Sequence, residues 1–137
     1  HGTAANHAQF RVGTTVDFEI TELGAAIIGP ATTTGVTHAI RGGLQLQATR
    51  TVTTTATVAA EDTIILCNHS AAFTLTLPAA TDGRVLIIKD ISNAALTNNI
   101  TVTRAGSDLI DGSVSYIMNV NRMAIMLVGR SGAWDVV

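Results

Sequence analysis

The chain holds one cysteine, Cys67, in 137 residues, so no disulfide can form within it and stability must come from packing and assembly. Charge is scarce. Asp, Glu, Lys and Arg make up 13%, against roughly 25% in an average soluble domain. A formal net charge of -2 provides no basic field to hold a phosphate backbone or an anionic surface, which disfavours nucleic acid and lipid headgroups as partners. No apolar run reaches the ~18 residues of a spanning helix, so membrane insertion is not expected. Aromatic residues total 4%, namely Phe10, Phe18, Phe73, Tyr116 and Trp134. That poverty counts against a dedicated lectin, which stacks sugars on exposed rings, and Trp134 reads as a core plug before it reads as a sugar platform.

Recognisable chemistry is also missing. No Gly-x-Ser-x-Gly elbow, phosphate loop or Rossmann fingerprint occurs, and His1, His7, His38 and His69 show neither HxH nor HExxH spacing. Cys67 and His69 could share one strand face as a metal half-site or nucleophile pair, but no third ligand or orienting acid accompanies them. A buried Cys beside a turn histidine is the plainer reading. Asp108 and Asp111 flank a turn, yet Ca²⁺ needs six or more oxygens and the spacing supplies few, so an Asp-Gly turn is favoured there. The close acidic pairs, Asp17 with Glu19 and Glu61 with Asp62, read as solvated strand or turn residues rather than glycosidase carboxylates. The triplets at Asn68-His69-Ser70 and Asn99-Ile100-Thr101 carry no weight in a chain so rich in Asn and Thr. No catalytic, cofactor-binding or metal residue is therefore assigned, and no cofactor or enzymatic activity is expected.

What the chain has is hydrophobic residues, at 47%, with 12 Gly and threonine at roughly a seventh of all positions. A net-hydrophobic chain without a membrane span points to burial between subunits. The length allows one domain with a real core, or two small modules. A chain opening at His1, with neither Met nor a charged-then-apolar leader, is expected to be a fragment or processed form of a longer protein.

The hydrophobic pattern has period two almost throughout, which predicts β-structure and little helix. From Phe10 to Ile20 the even positions are mostly apolar and the odd ones polar, as in a half-buried strand or two strands kinked near Gly13. The passage through Gly24, Gly29-Pro30 and Thr32 to Gly35 reads as loop or linker. Between Leu44 and Val58, Leu44, Leu46, Ala48, Val52, Ala56 and Val58 fall on one face, and Gln45, Gln47 and the odd-numbered threonines on the other. Fifteen residues would span ~50 Å, so a break is expected, and Arg50, a charge on the apolar face, marks its place. The division expected is an N-terminal β or shaft-like segment with linker at 1–48 and a head module at 49–137.

Within that module short strands are predicted at 63–67, 72–77, 84–89, 99–103, 114–118, 123–128 and 133–137. They are separated by Pro78, Asp82-Gly83, Asn98-Asn99, Gly106-Ser107, Asp111-Gly112 and Ser131-Gly132. Val85–Ile88 and Met123–Val128 are apolar on both faces and should be central strands, or strands covered by another subunit. Strict repeats are absent, which disfavours a propeller or regular solenoid. The Thr-x-Thr rhythm at 49–57, 74–76 and 101–103 fits β propensity on a solvated face. The fold class expected is all-β: small antiparallel sandwich or barrel-like modules.

From about Val58 onward the chain resembles a module of bacteriophage tail fibres, tail spikes and related virion proteins. The matching stretches are Ala60 to Asn68, Phe73-Thr74-Leu75-Thr76-Leu77-Pro78-Ala79-Ala80, Gly83 to Asp90 with its "IKD" strand, Asn99 to Thr103, Asp108 to Gly112, and Gly132-Ala133-Trp134. The resemblance covers roughly 60% of the chain, and its motifs are moderately specific in combination. Gly42-Gly43-Leu44-Gln45-Leu46-Gln47 looks like a shaft-to-head transition of such fibres. The resemblance implies an intertwined homotrimer located in the virion, with other virion proteins as partners and a host-surface glycan or protein as a further one. The competing expectation is a carbohydrate-binding β-sandwich that serves adhesion outside a virion.

Overall fold

The computed structural model describes Ala8–Val12, Thr15–Ile20 and Ala26–Ile28 as backbone strands, and residues 49–137 in full. The chain divides into two compact units, His1–Leu44 and Gln45–Val137. In the first, β1 (Ala8–Val12), β2 (Thr15–Ile20) and β3 (Ala26–Ile28) form an antiparallel sheet in chain order. The alternation from Phe10 to Ile20 is thus two paired strands, with a register shift between Phe10 and Arg11. The passage read as loop contains β3, too short for period two to register. The glutamines and leucines at 44–47 and Ala48 lie outside the described residues, as do the linker positions 29–35.

The second unit is all-β, and no described residue is helical. β4 (Thr49–Val52), β6 (Ile64–Cys67) and β8 (Val85–Asp90) lie side by side in parallel, as do β5 (Ala56–Thr57), β7 (Phe73–Thr76) and β9 (Ile100–Thr103) in a second sheet. Strands alternate between the sheets along the chain, so the backbone winds in stacked turns: a solenoid-like arrangement. The ladder continues past the strand ends, with Asn68 N donating to Val52 O (2.9 Å), Val58 N to Thr76 O (2.9 Å) and Leu77 N to Thr103 O (2.8 Å). The turns are then closed by antiparallel strands. β11 (Ser115–Met118) pairs with β9, β12 (Ala124–Arg130) with β8, and β13 (Ala133–Val136) with β12, while the two-residue β10 (Leu109–Ile110) lies parallel to β13.

This corrects two expectations. The two sheets of the second unit are of mixed orientation rather than antiparallel, and a solenoid-like winding, disfavoured on sequence, is what that unit adopts. The repeat is hidden because the turns differ in length. Thr49 stacks on Ile64 but Ile64 on Ile87, and the corners at 53–55, 68–72 and 91–99 lengthen in succession. Fixed-period self-similarity fails under such drift. The break near Arg50 is also displaced: Arg50 stands inside β4 and the strand stops at 53–55.

Period two dictates what each strand buries. Val52, Ile65, Cys67, Leu86, Ile88 and Leu127 from one sheet meet Leu75, Ile100, Val102 and Met118 from the other, all at most 6% exposed. Each large side chain so buried contributes roughly 1.5–3 kcal/mol before ordering costs. Trp134 is fully buried and its Nε1 donates to Pro78 O at 3.3 Å, so the plug role expected of it holds. Turn chemistry matches the separators: Gly83, Gly106, Gly112 and Gly132 all adopt positive φ, where a side chain is disfavoured.

Candidate interaction surface

The pairing register fixes which side chains face away from the core. On the six-stranded sheet, Ile87 stands between Ile64 and Met126, and Val85 beside Val128. Leu66 and Ala124 flank Lys89. These positions alternate with the buried Ile65, Leu86, Ile88, Ile125 and Leu127 and therefore point outward. Val85 and Met126 are 39% and 40% exposed. A contiguous apolar strip thus crosses β6, β8 and β12, the strands whose sequence is greasy on both sides. Its charged side chains are hydrogen-bonded locally, but only Arg130 meets an acid. Arg130 Nε donates to Asp135 Oδ2 at 2.8 Å, and Lys89 Nζ donates to the Arg122 carbonyl.

The outer face of the four-stranded sheet has opposite character. Thr57, Thr76, Thr103 and Ser115 form one row across β5, β7, β9 and β11, and Thr74, Thr101 and Ile117 the next. Thr55 extends the second row, its hydroxyl accepting the Thr74 N–H at 3.3 Å. The Thr-x-Thr rhythm is therefore stacked into a ladder. Threonine suits both demands there, a branched Cβ for the strand and a hydroxyl for water.

Two polar networks pin the corners. Asp62 receives Arg50 Nε at 3.0 Å, Arg50 Nη2 at 2.6 Å and Ala59 N at 2.8 Å, while Arg50 also donates to Thr57 O. Burial opposes ionisation of Asp62, but the Arg50 and Ala59 bonds, with the Arg50 and Arg84 charges, outweigh it and lower its pKa. Arg84 donates to Ala59 O at 2.8 Å and lies 5.9 Å from the centre of the Trp134 ring. Glu61, the other member of that acidic pair, is exposed.

The second network surrounds Asp90. Its Oδ1 accepts Ser92 N (2.9 Å), Ser92 Oγ (2.7 Å) and Asn93 N (3.2 Å), and its Oδ2 accepts Arg122 N (3.0 Å) and Ala95 N (3.4 Å). Burial alone would raise this carboxyl, but the Ser92 hydroxyl and the backbone donors of Arg122, Ala95 and Ser92 hold it down at about 2. His69 is buried beside it. Its Nδ1 faces Ser92 Oγ at 3.0 Å, and its Nε2 faces the Asn98 carbonyl at 2.8 Å, so Nε2 carries a proton, assigned from its partner. Serine stands between acid and histidine, whereas a nucleophilic relay places histidine between the other two. The arrangement fastens the 91–99 corner to β6 and to the turn before β12. Sequence reasoning missed Ser92 and Asp90, which reach His69 only through the parallel register that sets Cys67 beside Asp90.

Cys67 does not join His69 on a ligand face. It is fully buried, and burial followed by the nearby Asp90 charge pushes its thiol up to about 12. Among the described residues no group of three His, Cys, Asp or Glu side chains could hold a metal ion. Asp108 and Asp111 instead tie their turns to distant backbone, accepting Ala80 N at 2.7 Å and Val136 N at 3.1 Å. Tyr116 is partly buried against the core. The side chains of Asp17 and Glu19, and His1, His7 and His38, lie outside the described residues. No family model matches the chain, and no curated protein matches it.

Proposed function

We propose that this chain is a structural module of a virion appendage, a bacteriophage tail fibre, spike or head fibre, which assembles as a homotrimer and displays a rigid surface to the host. The observation that carries the reading is the outward apolar strip on β6, β8 and β12. Monomeric proteins rarely leave such contiguous patches uncovered. Symmetric self-association is one way to cover such a patch. The stacked turns support a display role, because every rung is hydrogen-bonded to the next and few parts can move alone. The motif string from Ala60 to Trp134 supports the viral assignment. Among the described residues, the cluster of Ser92, His69 and Asp90 is built as a corner fastening.

Light scattering on a sizing column is expected to give three times the 14.2 kDa chain mass. The same preparation is expected to bind cells of a susceptible bacterium. A stable monomer at micromolar concentration would remove the reading's main support. Glycan binding by that monomer would favour the adhesion module outside a virion.

A further inference from the structure

The hydrogens around His69 can be counted. Its Nε2 lies 2.8 Å from the Asn98 carbonyl, which only accepts, so Nε2 carries a proton. Ser92 Oγ lies 2.7 Å from Asp90 Oδ1 and 3.0 Å from His69 Nδ1. A hydroxyl has one hydrogen to give, and an ionised carboxylate has none. Against the pull of burial, the Ser92 hydroxyl and the backbone donors hold the Asp90 carboxyl down at about 2. The Ser92 hydrogen therefore belongs to Asp90, and the hydrogen between Ser92 Oγ and His69 Nδ1 has to come from the ring. With every contact made, His69 carries both ring protons and a positive charge, with Nδ1 4.0 Å from Asp90 Oδ1. A neutral ring leaves one contact of this chain without a hydrogen, whichever way the Ser92 hydroxyl turns.

The two ring nitrogens hold opposite ends of one corner, Ser92 near its start and Asn98 near its finish. We infer that the second proton of His69 is the latch of the 91–99 corner, which is closed while the ring is charged and loosens when the ring gives that proton up. A buried ion pair is tolerable only where its remaining hydrogen-bonding capacity is met. Here Asp90 takes five donors and His69 both of its acceptors. No other charge takes Asp90's place beside the ring. Cys67 on β6 is a neutral thiol, pushed up to about 12 by burial and then by Asp90. Phe73 on β7 lies against the imidazole, with centroids 5.0 Å apart, and is uncharged. From the turn before β12, Arg122 reaches Asp90 through its backbone N–H, while its guanidinium donates to Ile91 O and Lys89 Nζ donates to the Arg122 carbonyl. Both cations are thus spent on carbonyls. The latch lies within the second unit and does not depend on how copies assemble.

The test follows ring and corner together in the full chain. Long-range ¹H–¹⁵N spectra report the protons on each imidazole nitrogen, and His69→Gln identifies this ring among the four histidines. The Ala95 and Asn98 amides, bonded to Asp90 Oδ2 and Ala94 O, report closure of the corner through hydrogen exchange corrected for the intrinsic effect of pH. Between pH ~9 and ~5, above the range in which a free carboxyl titrates, both signals are expected to change with one midpoint. Protection should rise roughly tenfold or more as the ring gains its second proton, the worth of one hydrogen bond to a charged group. Ser92→Ala removes the hydroxyl between acid and ring, and its protection is expected to stay level while the ring titrates. A native ring that changes its proton count without a change in protection would overturn the proposal. So would a native ring that holds one proton, or two, across the whole window, or a Ser92→Ala chain whose protection still follows the ring. The native chain decides the first two outcomes even where the variant fails to fold.

Discussion

At Asp90 a single buried carboxylate takes five donors, four from the adjoining 92–95 stretch and one from Arg122. Asp90→Asn keeps the shape but turns an amide NH₂ toward N–H groups that need an acceptor. The cost is expected to be about 2–4 kcal/mol in urea denaturation. The pH dependence follows from the sign of the shift. The folded carboxyl titrates at about 2 and a free one near ~3.9. Ionised Asp90 therefore stabilises the fold above the unfolded value, and that stability, about 2–3 kcal/mol, is lost as pH falls from near 4 through 2. Asp62, lowered in the same direction, steepens the fall. Urea midpoints measured across that window should drop in the native chain and drop less in Asp90→Asn. Gly129 poses a steric problem of another kind. A Cβ there would strike the Thr81 carbonyl, a backbone atom, while Gly129 N donates to Arg84 O at 2.7 Å and its carbonyl accepts Gly83 N. Gly129→Ala should therefore cost at least the ~1–3 kcal/mol of an overpacked core, read as a lowered melting temperature.

Within single elements, period two made the strands legible. The predicted 63–67 is Ile64–Cys67, 72–77 is Phe73–Thr76, and 123–128 is the start of Ala124–Arg130. Alternation reports one face in and one face out, which is true of any half-buried strand whatever its neighbour's direction. For that reason it could not reveal that β4, β6 and β8 run parallel, nor that Thr74 stacks on Thr101. Val85–Ile88 and Met123–Val128 were readable as central strands because both faces are apolar, and β8 and β12 are neighbours within the six-stranded sheet. Arg50 was legible as an anomaly but not as half of a pair, since Asp62 reaches it only when the 58–63 corner folds back. Arg50 is 38% exposed, so Arg50→Met should cost only roughly 1–2 kcal/mol, and Asp62→Ala more, because it also strips the Ala59 N–H of its acceptor. The threonine rows make the opposite prediction. Thr76→Val and Thr103→Val keep the branched Cβ, and stability in urea denaturation should stay within the ~0.5 kcal/mol typical of surface changes. Solubility of the double variant should fall, because the ladder's hydroxyls keep that face wet.

Across the whole second unit, the stacked turns leave open strand edges wherever the winding stops, and unpaired edges template aggregation. At the end reached last by the chain, β11 covers β9 and β12 covers β8, both antiparallel. Those strands come from the segment that also supplies Met118, Leu127 and Trp134 to the core. Closing and plugging are thus the work of one stretch, and their loss should be inseparable. A chain ending at Arg104 would bare the ladders of β8 and β9 together and remove the side chain that Pro78 and Arg84 pack around. It is expected to lose cooperative thermal unfolding and to precipitate, although the parallel ladders of β4, β6 and β8 and of β5, β7 and β9 are still encoded. Trp134→Ala separates the two contributions, because it empties the core while leaving both edges paired. That variant should remain soluble and melt cooperatively with a loss of about 3–5 kcal/mol. If the truncated chain melted as sharply as the native one, the parallel turns would be self-sufficient and the antiparallel strands a mere appendix. If instead Trp134→Ala precipitated as the truncation does, core filling rather than edge closure would be what keeps the stacked turns in solution.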